Sequence, residues 1–406
     1  MRTTLFCFAA DIEDAGPAQV LADACERAGV DGLSVATAYH AARDLLPHAL
    51  TRRVPHLPPG LWIRPERLLW QGCPITPLIA GDQATFTALD DLIALAERNG
   101  RAIDGWTVFL HADRDGADAA VGAEHNIFGD PYPEQLCPAN PATRAYAVTL
   151  ARAVVRAGMP TVVAESLHYH GLEHGVHHER LLFEPGAVVR LILGLCMCSH
   201  CFAAAKAEGV DTERVQRELL SVVQATLDSG RPAPGSVGTL AEAGALCGGE
   251  LAGWIQARQR TVTTLVEEVA QACRVEGGSL VALDLSGAAK GYADGLPTGD
   301  PASVFGWRFG IDSAAISRHC TIEAIAYAQA PERVDLDLAT YRALIGRQRP
   351  LGAILRPFGV DCEDAENLAA KLRVIQNHGA ERVDFYHYGM MPLPTLDRIR
   401  EALSLA

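Results

Sequence analysis

No apolar run in this chain approaches the roughly 20 residues that a membrane-spanning helix requires, so no membrane partner is expected. The N-terminal stretch MRTTLFCFAADIED is apolar only from Leu5 to Ala10 before Asp11 and Glu13 intervene. A secretory signal needs a longer apolar core and a small-residue cleavage site, so the expected location is the cytoplasm. Positive charge is also short. Lys and Arg number 35 against 49 Asp and Glu, a net charge of −14, and no basic block occurs. Nucleic acid, whose phosphates need a cationic surface, is therefore not an expected partner. Internal repeats and low-complexity linkers are missing, and no glycine-rich phosphate loop follows the first predicted strand.

Cysteine, by contrast, is plentiful: eleven residues, odd in number and unevenly spread. In a reducing compartment they are expected as thiols or metal ligands rather than disulfides. With 406 residues, 49% of them apolar and 21% charged, the chain is long enough for one large globular domain.

Short apolar runs alternate with helical patterns along the whole length. The runs cover Leu5–Ala10, Gly32–Tyr39, Thr107–His111, Thr161–Tyr169, Leu280–Ser286, Thr321–Ala328, Leu351–Phe358 and Val383–Tyr388. Between the first two, Val20, Leu21, Ala24 and Ala28 share a helical face that Gly29 closes. Further helices are predicted over Gln83–Asn99, Ala142–Ala157 and Thr395–Leu405, and Asp361 is placed to cap one that carries Leu368, Leu372 and Ile375 to Gly379. Strands covered on both faces read as continuous apolar runs, and parallel strands need crossover helices. Eight such strands predict an α/β fold of the (β/α)₈ TIM-barrel type, a single domain over residues 1–406 with long loops. The Pro/Gly-rich stretch Arg231–Gly238 falls inside this pattern rather than between domains.

Chemistry in such a barrel belongs at the C-terminal strand ends. Polar residues gather there: Asp11, Tyr39 and His40, His111, Glu165 and His168, Asp284, Glu323 and Tyr327, Arg356, then Tyr386, His387 and Tyr388. Arg43 and His48 follow His40 in the same loop, and Arg64 is a further candidate for substrate contact or a surface ion pair. Trp62, Trp106, Trp307 and Tyr388 offer aromatic faces, with Trp106 better suited to core packing.

Cys196, Cys198 and Cys201 form a Cys-x-Cys-x-x-Cys run. Thiolates so close in sequence can share one tetrahedral centre, and zinc takes four such ligands in structural sites. Cys137, in the run LCPANPATR, is the expected fourth ligand, with His200 the fallback. The other seven, Cys7, Cys25, Cys73, Cys247, Cys273, Cys320 and Cys362, are expected in packing roles.

Taken in order, Cys137-Pro138-Ala139-Asn140-Pro141 with Arg144, then Glu165, then the three clustered cysteines resemble the zinc-bearing barrel of family 42 glycoside hydrolases, clan A β-galactosidases. The resemblance covers roughly a quarter of the chain. It implies a structural zinc on Cys137, Cys196, Cys198 and Cys201, and an acid/base role for Glu165. Because members of that family are commonly trimers, it also implies a homo-oligomer. Two positions depart from the pattern. Ala164 stands where the family has Asn, and strand seven ends Leu355-Arg356-Pro357, with no carboxylate before Asp361 where the family carries its nucleophile.

Glycoside hydrolysis needs two carboxyl groups. With Glu165 as one, Asp284 and Glu323 are the sequence candidates for the other. Asp11, His40, Arg64, His111, His168, His170, Tyr327, Arg356 and Tyr388 are the expected contacts of a small carbohydrate-type substrate. Two alternatives stand beside this. The stretch ESLHYHGLEHGVHHER holds His168, His170, His174, His177 and His178 with Glu173 and Glu179, a donor set that a metal-dependent hydrolase or lyase would use. It contains no His-Glu-x-x-His, and Gly171 and Gly175 disfavour a regular helix. A barrel without a strand-seven nucleophile also fits a non-catalytic carbohydrate-binding protein.

Overall fold

The computed structural model describes residues 1–114, 117–172, 183–286, 296–297 and 299–406. Eight parallel strands form a closed ring: β1 (Arg2–Cys7), β2 (Gly32–Tyr39), β3 (Ala102–Val108), β4 (Thr161–Glu165), β5 (Ser279–Asp284), β6 (Thr321–Ile325), β7 (Leu351–Leu355) and β8 (Arg382–Phe385). Thr4 of β1 pairs with Gly32 on one side and with Asp384 on the other, which closes the barrel. The expected (β/α)₈ architecture is the observed one, and a single domain spans the chain. Among the described residues no helix is long and apolar enough to cross a membrane.

Several strand limits differ from the apolar runs. β3 begins at Ala102 rather than Thr107, and β8 at Arg382, because charged residues belong to these strands. Asp104 and Arg382 point into the barrel, where each finds the other. The Arg382 guanidinium donates to Asp104 Oδ2 at 2.5 Å, to Asp384 Oδ2 at 2.5 Å and to Ser34 Oγ at 2.9 Å. Arg2 bonds the second oxygen of Asp104 at 2.6 Å, and Glu323 Oε1 lies 3.6 Å from Arg382. A buried ion is tolerated only when paired and hydrogen-bonded, and that pairing is invisible to a hydropathy pattern. At their other ends the apolar runs outlast the strands, since residues such as Phe8 and Leu167 are buried in the connections that follow.

Helices cover the outside: α1 (Ala9–Ala15), α2 (Pro17–Ala22), α3 (Gln83–Arg98), α4 (Pro141–Arg156), α5 (Ala187–Leu193), α6 (Ser199–Ala207), α7 (Thr212–Ser229), α8 (Leu240–Gly244), α9 (Glu250–Val275), α10 (Ser313–Ile316), α11 (Pro331–Ile345), α12 (Ala365–Asn377) and α13 (Pro394–Leu405). Asp82 and Asn140 cap α3 and α4 through their side chains, and Pro141 occupies the first turn of α4, where its missing N–H costs nothing. The cap of α12 is Asp364, which accepts from Asn367 N at 2.8 Å, and not Asp361 as expected. Asp361 is instead buried and ion-paired with Arg356. The stretch from Arg231 to Gly238 connects α7 to α8 within a long helical excursion between β4 and β5. That excursion returns through α9, whose Leu251, Trp254, Ile255, Val262, Leu265 and Val269 are buried.

Candidate active site and metal centre

Glu165 ends β4, and its side chain meets the indole of Trp106 from the neighbouring strand: Nε1–H donates to Oε2 at 2.6 Å. Trp106 is held in turn by aromatic rings from β2 and from the residues that follow β1 and β8. Phe8 stacks on it at 5.6 Å between centroids, while Tyr39 and Tyr386 meet it edge-on at 4.8 and 5.8 Å. Trp106 is buried as core, as its sequence position suggested, yet it also orients a carboxylate. Burial raises the proton affinity of Glu165; the charge of His40 and the Trp106 bond pull it back. In turn, the Glu165 charge helps to raise the phenols of Tyr39, Tyr327 and Tyr386.

The register separates the three sequence-predicted carboxylates. Ala164 pairs with Ala282, so Glu165 is level with Leu283, which itself pairs with Glu323. Side chains at paired positions share a face. Glu165 and Glu323 therefore face the lumen, and Asp284, paired with Ala324, has the opposite parity. Glu323 lies on the barrel floor beside Arg382 and Asp384 and is fully buried. Burial and the Asp384 charge raise its affinity for a proton well above the usual carboxylate range. Asp284 accepts from Ser286 N at 2.9 Å, and its second oxygen is buried without a hydrogen-bond partner.

From the mouth, an arc of imidazoles runs across the ends of β2, β3 and β4. His40 stacks on Tyr39 at 4.3 Å and on His111 at 4.6 Å; His111 approaches His170 at 5.8 Å, and His170 approaches His168 at 5.6 Å. His168 Nδ1 bonds Tyr169 O at 2.6 Å, and burial lowers its affinity for a proton. The backbone N–H of His170 donates to Glu124 Oε1 at 2.9 Å; burial pushes the Glu124 carboxyl up to about 8. His174, His177, His178, Glu173 and Glu179 lie outside the described residues.

The remaining predicted contacts are dispersed. Arg356 follows β7, lies 4.5 Å over the Tyr327 ring and pairs with Asp361. Tyr388 is buried, donates to Asp23 at 3.0 Å and packs against His48 at 4.7 Å. Beside it a cleft of about 180 Å³ is lined by Asp11, Glu13, His48, Trp62, Asp82 and Tyr388. Asp11 there accepts from Phe8 N at 2.8 Å, and burial pushes its carboxyl up to about 7. Arg64 sits on the outer surface, bonded to Gln83 and Asp90 of α3 at 3.0 Å each.

One further carboxylate, in the loop after β2, has no sequence signature. Asp44 lies in a hairpin that rises from the end of β2, where Ala42 pairs with Leu57, Arg43 with His56, and Leu46 N donates to Arg53 O at 2.8 Å. Its Oδ2 is buried with no hydrogen-bond partner. Burial raises its proton affinity and His40 lowers it. A single acid in a loop carries no periodicity and no motif; only its nearness to His40 in the chain marks it.

The thiols of Cys137, Cys196, Cys198 and Cys201 converge with all four sulfurs within 4.8 Å of one another. Cys137 Sγ is 3.6 Å from Cys198 and 3.5 Å from Cys201. Tetrahedral zinc with bonds near 2.3 Å separates its sulfurs by about 3.8 Å, so the four residues fit a structural metal. Supporting donors are in place: His125 N points at Cys196 Sγ from 3.4 Å, and the Tyr169 hydroxyl lies 3.4 Å from Cys201 Sγ. Such outer contacts orient metal-binding thiolates. His200, the fallback ligand, is outside this set, which is the one metal-type cluster among the described residues. The other seven cysteines are unpaired thiols.

No protein-family model matches the chain, and no curated protein matches it in sequence. Solved structures do resemble it. The catalytic domain of a β-amylase from Paenibacillus polymyxa matches 98% of this chain and 94% of its own, with TM-score 0.50 and 10% identity. A β-galactosidase from the psychrophilic Marinomonas ef1 matches all of this chain with TM-score 0.52 and 11% identity, and this chain spans 59% of its length. The likeness is one of fold.

Proposed function

We propose that this protein is a glycoside hydrolase-like enzyme that acts on a small glycoside or oligosaccharide, with Glu165 as the proton-transferring carboxyl. The observation that carries this reading is the Glu165 environment. A carboxyl at a barrel strand end has its proton affinity raised by burial, and it is fixed in direction by the Trp106 N–H. A general acid needs both properties, a proton near working pH and a defined aim at the leaving oxygen. His40, His111, His168 and His170 supply hydroxyl-binding groups along one side of the mouth, and Tyr327, Tyr386 and Arg356 border the other. The fold likeness to a β-amylase and a β-galactosidase is compatible with this reading.

The four cysteines would hold a structural zinc, which ties the segment before α4 to the start of α6. Tyr169 connects that centre to the adjoining His168 and His170 through its bond to Cys201. Glu323, enclosed by Arg382 and Asp384, serves the barrel floor in this reading rather than the reaction.

The test is a panel of aryl glycosides that differ in sugar, anomer and leaving group, assayed with the wild type and Glu165→Gln. Removal of the acid is expected to depress kcat by at least 10²-fold on aryl glycosides with poor leaving groups, such as unsubstituted phenol. On dinitrophenyl glycosides, which need little protonation, the loss should be far smaller. Equal losses on good and poor leaving groups, or no turnover of any glycoside by the wild type, would refute it.

A further inference from the structure

Arg258 of α9 is 2% exposed, and among the described residues it makes no ion pair with a carboxylate. Its Nη2 donates to Arg308 O at 3.0 Å, while Nε and Nη1 are buried without a hydrogen-bond partner. A buried cation is costly unless negative charge lies close by. The guanidinium lies 4.0 Å from the centre of the Tyr169 ring, and the Tyr169 hydroxyl lies 3.4 Å from Cys201 Sγ. We propose that Arg258 is the counter-cation of the four-cysteine metal centre, and that Tyr169 is the positioning residue through which it acts on the sulfurs. This rests on the four cysteines holding a metal, and it adds what sets the charge and the affinity of that centre.

Four thiolates around a divalent ion leave an excess of negative charge, and the interior does not screen it as solvent does. Arg258 offers the matching charge from a buried position. Its contact with the ring is a cation–π contact, which draws electron density from the phenol. The hydroxyl thereby becomes a stronger donor to Cys201 Sγ, which accepts because a metal-bound thiolate carries no proton. Burial of Tyr169 keeps water from competing for that hydroxyl.

Three segments hold this arrangement. Tyr169 N donates to Phe309 O at 3.1 Å, next to the Arg308 carbonyl that takes Arg258. Gly310, at φ 72°, lets the chain pass the ring where a Cβ would come within 3.0 Å of it. Other ions nearby are otherwise engaged. Arg144 reaches Pro138 O beside Cys137 but is paired with Glu268. Glu124, a buried carboxyl, accepts from His170 N and makes no ion pair with Arg258.

The experiment measures zinc affinity of the full chain by competition with a chromogenic chelator. Arg258→Met and Tyr169→Phe should each weaken zinc by about 10- to 100-fold, and Arg258→Lys, which keeps the charge, by much less. The same variants loaded with iron are then titrated electrochemically. A cation and a hydrogen bond to sulfur both favour the reduced, more negative centre, so the midpoint potential should fall in Arg258→Met and in Tyr169→Phe. A purely structural role gives no such sign. Tyr169→Phe keeps the ring and its packing, so it carries the test even where Arg258→Met does not fold. The loss in Arg258→Met should persist in a Glu124→Gln background. Potentials that stay unmoved or rise, zinc affinity within about twofold of wild type in Tyr169→Phe, or recovery in the Glu124→Gln background overturns the assignment while the metal reading stands. A chain that binds neither zinc nor iron overturns both.

Discussion

The indole N–H of Trp106 and the carboxylate of Glu165, contributed by adjacent barrel strands, are joined by a 2.6 Å hydrogen bond. A tryptophan that would pass for core packing thereby fixes the direction of the one carboxyl that faces the mouth from β4. The bond favours the ionised form of Glu165 and so opposes the effect of its burial.

Trp106→Phe should therefore raise the Glu165 pKa. A hydrogen bond to a charged group contributes about 1.5–3 kcal/mol, and 1.36 kcal/mol corresponds to one unit, so the shift is about one to two units. Because the acid works protonated, the alkaline limb of kcat/KM against pH should move upward by that amount. An unmoved limb would show that the indole does not tune the acid.

Arg382 is enclosed by Asp104, Asp384 and Glu323. Arg382→Met leaves buried carboxylates without their cation, which should cost about 3–5 kcal/mol of stability. Denaturant midpoints would report it. Glu323→Gln should be tolerated far better, since burial and the Asp384 charge already oppose ionisation of that carboxyl.

Asp11 carries a carboxyl whose pKa rises on folding from 3.8 to about 7. A raised carboxyl contributes fully below its unfolded pKa, and the contribution is lost as pH climbs to the folded value. Asp11→Asn escapes that loss. Relative to wild type, the variant should gain stability progressively between pH 4 and 7 and keep a constant advantage above, about 4 kcal/mol at most. Urea unfolding at pH 5 and pH 8 measures the difference, and an equal gap at both values would contradict it.

The four-cysteine cluster should hold one zinc per chain, measurable by elemental analysis of the purified protein. Cys201→Ser should lose the metal and, at a cost of about 3–5 kcal/mol, lower Tm by roughly 5–10 °C. Chelation of the wild type should reproduce the shift, and added zinc should reverse it in the wild type alone.

The sequence by itself determined the architecture and the four-cysteine cluster. Eight apolar runs separated by helical patterns leave few alternatives, because parallel strands buried on both faces must be apolar and must be joined by crossovers. Cys196, Cys198 and Cys201 are marked by their spacing, and Cys137 by its place before Pro138 and the capping Asn140. These signals are local, and local chemistry is written in order along the chain. What only the tertiary structure decided is which acids share a space. Glu323 and Asp284 are equally prominent in the sequence, yet register sends one to the barrel floor beside Arg382 and turns the other away from the Glu165 face. Asp44 leaves no pattern at all, and only the fold of the hairpin beyond β2 shows that one of its carboxylate oxygens is buried. Side-chain direction in a strand alternates with every residue, and lateral pairing depends on strands far apart in the chain. No short-range reading of residues could have sorted these carboxylates.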